Sequence, residues 1–141
     1  MPAAAQDKSA PQPTPAEWRA KIQTDKKGLV ERSMKLTPEE AAKFWPLYES
    51  FQRELERPQR EYTRAVLDYV ATENSLTDAN AKRLAEQVLT ASIDEARLRQ
   101  RHFRKLSSVL PAKKAARYMQ IENKIQAVLR YETAAAIPLA H

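Results

Sequence analysis

The chain has no cysteine and a single glycine, Gly28, in 141 residues. Without cysteine there is no disulfide, no thiolate nucleophile and no cysteine-ligated metal. One glycine leaves no material for a glycine-rich phosphate loop and too few turn residues for a sheet of many strands. Histidine is scarce as well: His102 and His141 show neither Glu-x-x-His nor His-x-x-x-His spacing. Glu95 stands seven residues from His102, too far along one helix to share an ion unless a second helix contributes. A triad needs a histidine able to accept a proton, and His102 lies in an arginine-rich run that opposes protonation. No catalytic residue, metal ligand or cofactor is therefore assigned, and the expected class is not an enzyme. Long apolar runs are missing too. The longest, Ala134 to Ile137, spans four residues, against the roughly 20 a spanning helix needs. The opening Met1-Pro2-Ala3-Ala4-Ala5 lacks the basic and then apolar order of a signal peptide. Two readings stay open, a cytosolic protein or a mature start whose signal has been removed, and the Ala-rich and then Pro/Gln/Ser-rich opening leans toward the second.

What is present is charge and helix. Charged residues make up 30% of the chain, and with so little glycine this predicts an all-α protein. The net charge of +6 is unevenly placed. Residues 97 to 117 carry eight cations and no acid, which leaves the rest of the chain at −2. Arg97, Arg101, Arg104, Lys105, Lys113, Lys114 and Arg117 are the candidate partner-binding residues, a surface suited to an anionic partner. The competing expectation is that Glu49, Glu54, Glu56 and Glu61 of a neighbouring helix neutralise them. Glu54 with Arg57 and Glu61 with Arg64 have the spacing of ordinary exposed helix pairs.

Punctuation divides the chain into a disordered tail over 1–13 and one helical domain over 14–137. Helices are expected at about 15–27, 38–73, 78–109 and 111–136. Thr14, Thr37 and Thr77 are the expected caps, with Pro15 and Pro38 at first helical positions. Gly28 is the expected break or bend after the first helix. The second helix carries the strongest pattern: Ala41, Phe44, Tyr48, Phe51, Leu55, Pro58, Tyr62, Ala65 and Tyr69 recur at three and four. Such a seam has to be covered, so Phe44, Tyr48, Phe51, Leu55, Tyr62 and Tyr69 are expected in a core or a dimer interface, with Trp45 beside the seam as a second contact face. Pro46 and Pro58 lie inside it and should bend the helix. The third helix offers a broad apolar set from Ala81 through Leu89, Ile93, Ala96 and Phe103 to Leu110, and the short connection makes the two antiparallel neighbours. The expected fold is thus a long bent antiparallel helical hairpin within three to four helices.

Leu36-Thr37-Pro38-Glu39-Glu40 and Leu76-Thr77-Asp78-Ala79-Asn80 each open a long helix. They resemble the Leu-Thr-x-x-Gln signatures of the Spy/CpxP-like periplasmic family, with Glu40 and Asn80 at the glutamine position. The resemblance spans Met34 to Ile137. It implies a bent hairpin that dimerises into a cradle, a periplasmic location, and a role as an ATP-independent chaperone or stress-response accessory that binds unfolded or envelope polypeptides. Some members sense metals; here that would be a sensor that has lost most of its ligands. From another class, a small basic nucleic-acid-binding protein fits the charge, with Phe103 and Tyr118 available to stack on bases.

Overall fold

A computed structural model describes residues 14–141; the tail expected over 1–13 lies outside the described residues. The protein is all-α. Four helices follow one another: α1 (Pro15–Met34), α2 (Pro38–Thr72), α3 (Asp78–Ser107) and α4 (Ala112–Ala136), with one 3-10 turn at Glu73–Ser75 and no strand among the described residues. No described helix is long and apolar enough to cross a membrane.

Local chemistry sets the helix starts. Thr14 and Thr37 each head a capping box, their hydroxyls accepting from the Glu17 and Glu40 backbone while those carboxylates accept from the threonine N–H. Thr77 accepts from Asn80 N–H at the head of α3. α2 passes through Pro46 and Pro58 without interruption, and Pro58 is itself buried.

The first helix differs from expectation. It runs to Met34 rather than ending near Lys27, and its irregularity falls at Asp25 (φ −162°, ψ 75°), not at Gly28. Asp25 turns its side chain onto the following turn, where Oδ1 accepts from Gly28 N–H at 2.9 Å. A Cβ at position 28 would lie 1.9 Å from Asp25 Oδ2. Gly28 therefore leaves room for a carboxylate cap inside the helix, and the chain resumes as helix to bury Leu29, Val30 and Met34. The helix ends at Lys35 in the left-handed region, φ 52°.

α2 and α3 form the hairpin. The core gathers at its near half, beside the α1–α2 and α3–α4 junctions, and combines Phe44, Tyr48, Phe51 and Leu55 with Leu98, Leu106, Tyr118 and Ile121. The backbones of α2 and α4 stay more than 8 Å apart, and aromatic rings fill the gap. Tyr118 of α4 meets Phe44 edge-on at 5.0 Å between centroids and approaches Tyr48 and Phe51 at 6.0 and 6.2 Å. Such ring pairs add to the free energy of area burial. Tyr62 and Tyr69, from the same predicted seam, are only half-buried. In the far half the buried contacts come from Ala65, Leu84 and Ala91, two of them alanines, and a groove stays open beside them.

The apolar face of α3 is also narrower than the sequence suggested. Its buried line is Leu84, Ala91, Glu95, Leu98, His102 and Leu106, whereas Leu89, Ile93, Ala96 and Phe103 are exposed.

Candidate functional site

Seven cations were singled out from the sequence, and the fold divides them. Lys114 forms an ion pair with Glu40 at the start of α2 and reaches the Lys35 carbonyl at 3.5 Å. The Lys114 ammonium, with the Thr37 backbone N–H, holds the Glu40 carboxyl below its usual range. Arg117 donates to the Ser33 carbonyl at 3.5 Å. Both cations thus sit at the carboxyl end of α1, where the helix dipole and free carbonyls favour positive charge. This explains why lysine and arginine tolerate the first turns of α4.

Arg97, Arg101, Arg104, Lys105 and Lys113 are different. All are exposed, and none forms an ion pair among the described residues. The spine acids expected to neutralise them are engaged elsewhere: Glu49 with Lys27 at 2.9 Å, Glu54 with His102 at 2.9 Å, Glu56 with Arg60 and Glu61 with Arg64, both at 3.9 Å. The expected Glu54–Arg57 pair is replaced by Glu54–His102, because His102 faces α2 across the hairpin. Arg101 and Lys105 lie close enough to Glu54 to help lower its pKa.

Three of the free cations continue a line that begins apolar. Leu89, Ile93, Arg97, Arg101 and Lys105 stand four apart and form one inclined ridge on α3. Leu89 is 62% and Ile93 51% exposed. The ridge therefore presents two bare aliphatic side chains followed by three unpaired charges. Phe103 lies exposed nearby on the same helix. The aliphatic members were placed in the core by sequence reasoning; the heptad positions at 84, 91 and 98 and at 88, 95 and 102 would have moved them outside.

Buried polar groups form a second constellation, between α1, α2, α3 and α4. Glu122 receives Lys26 at 3.1 Å, Gln52 at 2.9 Å and the Tyr118 hydroxyl. Burial, and then the Glu122 charge, drives the Tyr118 pKa far upward, so its hydroxyl stays protonated and donates. Glu95 receives Arg99 at 3.0 Å, Gln126, and Arg130 at 3.4 Å, and the Arg130 guanidinium lies 3.8 Å above the Tyr62 ring. Each buried carboxylate thus has several donors, which is the condition for keeping a charge inside a protein. The constellation lines a polar cleft of about 410 Å³. It joins the four helices.

His102 is 1% exposed and stacks on Phe51 at 4.4 Å. Burial lowers its pKa, against the opposing hydrogen bond to Glu54, and Nε2–H donates to the Glu54 carboxylate at 2.9 Å. Nδ1 is buried with no hydrogen-bond partner among the described residues. Among those residues, no three of His, Asp and Glu come together as a metal site.

Of the predicted seam, Phe44, Tyr48, Phe51 and Leu55 are buried. Trp45 packs against them, edge-on to Phe44 at 4.9 Å and beneath Lys27 at 5.0 Å. It is covered by α1 of its own chain. Tyr118, considered for base stacking, is fully buried.

Comparison with protein-family models, with characterised proteins and with solved structures returns no match to this chain.

Proposed function

We propose that this is a non-enzymatic polypeptide-binding protein of the bacterial periplasm, similar to Spy/CpxP, acting as an ATP-independent chaperone or stress-response accessory. The observation that carries the proposal is the α3 ridge. Unpaired, exposed Arg97, Arg101 and Lys105 attract acidic stretches at long range, and exposed Leu89 and Ile93 meet apolar side chains at contact. Unfolded chains offer both chemistries together. A nucleic-acid ligand would use the cations and Phe103, since Tyr118 is buried, and would leave Leu89 and Ile93 unused; two aliphatic side chains in line with the cations favour polypeptide. The helix starts at Leu36-Thr37 and Leu76-Thr77, both with the cap formed, support the family resemblance. The proposal includes a homodimer, for which exposed Leu67 and Val70 on α2 are the apolar positions a second copy would cover.

The test is light scattering of an acidic, chemically unfolded client without ATP. The protein is expected to suppress aggregation at a few-fold molar excess, and Arg97→Glu combined with Arg101→Glu to reduce suppression about tenfold. The proposal fails if the parent protein gives no suppression at several-fold excess. Duplex DNA bound at low salt and released steeply as salt rises would favour the nucleic-acid class instead. Sedimentation of the parent protein reads the dimer, and a monomer at all concentrations removes that part.

A further inference from the structure

We propose that the groove at the far end of the hairpin is a binding site for extended apolar peptide segments, and that residues 137–140 of this chain, which line one side of it, act as a displaceable self-peptide. The inference rests on the polypeptide-binding proposal and locates where the apolar part of a client goes. The groove encloses about 590 Å³, with walls from Val66 and Tyr69 of α2 and Ala81, Ala85 and Val88 of α3. Alanine at two wall positions keeps the floor open enough for a backbone to approach. Tyr62 and Tyr69 bring hydroxyls to the wall, and that of Tyr69 donates to the Pro138 carbonyl at 2.7 Å.

The chain's own residues show what shape fits. Ile137 leaves α4 in an extended conformation, φ −95°, ψ 122°, and the segment through Ala140 lines the groove. Apolar walls and a hydroxyl reading a backbone carbonyl select an extended chain with apolar side chains, without selecting its sequence. The segment is held weakly. Ile137 is half-buried, Pro138 and Ala140 are exposed, and Leu139 is 89% exposed. A client segment with larger side chains covers more of the wall and displaces it. Leu89 lines the groove and also begins the ridge that ends in Arg97, Arg101 and Lys105. Groove and ridge are therefore one continuous surface, apolar at one end and cationic at the other.

The experiment titrates a fluorescently labelled peptide copying residues 134–141 against the whole protein and reads anisotropy. Ile137→Ser detaches the self-peptide, and by the population argument should tighten peptide binding about three- to tenfold. Ala85→Arg, at an exposed wall position, should abolish binding in either background, and Leu89→Arg on the rim should weaken it if Ala85→Arg fails to fold. Equal affinity for the parent and Ile137→Ser, or full binding by folded Ala85→Arg and Leu89→Arg proteins, overturns the inference. Equal affinities alongside aggregation suppression by the parent would discard the groove and leave the proposed function standing. Tighter binding by Ile137→Ser without any suppression would keep the groove as a peptide site and discard the chaperone role.

Discussion

Between Phe44 and Leu55 the seam of α2 is closed by rings from three helices, with Tyr118 and His102 filling the space that separates α4 and α3 from it. Between Tyr62 and Thr72 the same seam meets alanines and a short extended segment, and space remains. Both stretches have the same heptad spacing. Periodicity decides which face of a helix is apolar; it does not decide how completely that face is covered. Coverage follows from side-chain volume on the partner helix and from where the covering helix runs. The near half is built for stability, and the far half, with its open groove, is suited to exchange.

The largest test of this contrast is a pair of truncations read by urea unfolding. Phe51→Ala empties a fully buried site and should cost about 3–5 kcal/mol. Val66→Ala, on the half-buried groove wall, should cost about 1 kcal/mol. Equal costs would mean that the two halves are equally packed and that the contrast is wrong. Next is the buried charge on the near half. Lys26→Met removes the cation beside Glu122, which leaves a carboxylate that is 4% exposed with neutral donors. Stability should fall by about 2–3 kcal/mol, and combining it with Glu122→Gln should restore part of the loss. An additive double mutant would show that the pair carries no coupling.

A smaller effect concerns pH. Burial holds the His102 pKa below its ordinary value, so the unfolded chain binds this proton more readily than the folded one. Stability is full above about pH 6.5 and falls as pH drops below it. Glu54, whose pKa is lowered chiefly by its hydrogen bond with His102, adds a loss in the same direction at lower pH. Urea midpoints from pH 8 to 5 should therefore decline for the parent and decline less for His102→Phe. Parallel curves would show that His102 is not the titrating group.

The helical class, the caps at Thr14, Thr37 and Thr77, and the hairpin were legible because they follow from local chemistry and spacing. The pattern stops short at three places. Gly28 suggested a break or a bend, but its function depends on where the Asp25 side chain folds back, which no spacing encodes. Glu95 and His102 were seven apart and in phase with Leu84, Ala91 and Leu98, and a carboxylate partner for His102 across the hairpin was one of two open expectations beside partial exposure; the opposing Arg130, Gln126 and Glu54 that make their burial tolerable are tertiary neighbours no spacing names. Of the seven candidate cations, Lys114 and Arg117 lie against the end of α1, a tertiary neighbour that the sequence does not place. For Arg97, Arg101 and Lys105 the decisive fact was negative. Glu49, Glu56 and Glu61 were already paired with Lys27, Arg60 and Arg64, and Glu54 is hydrogen-bonded to His102, with Arg101 and Lys105 acting on it only at longer range.

The two tryptophans have a consequence for how this molecule can be watched. Trp45 lies under Lys27 of α1, and Trp18 of α1 lies under Lys124 of α4 at 5.7 Å. Both indoles therefore report on the docking of α1, and neither stands among the groove residues. Intrinsic fluorescence excited at the indole band will follow loss of the near half and stay silent while the far half opens and refills. No indole stands at the place where exchange is proposed, so the groove needs a probe of its own, and the native indole signal serves as the internal control that the rest of the fold has stayed closed.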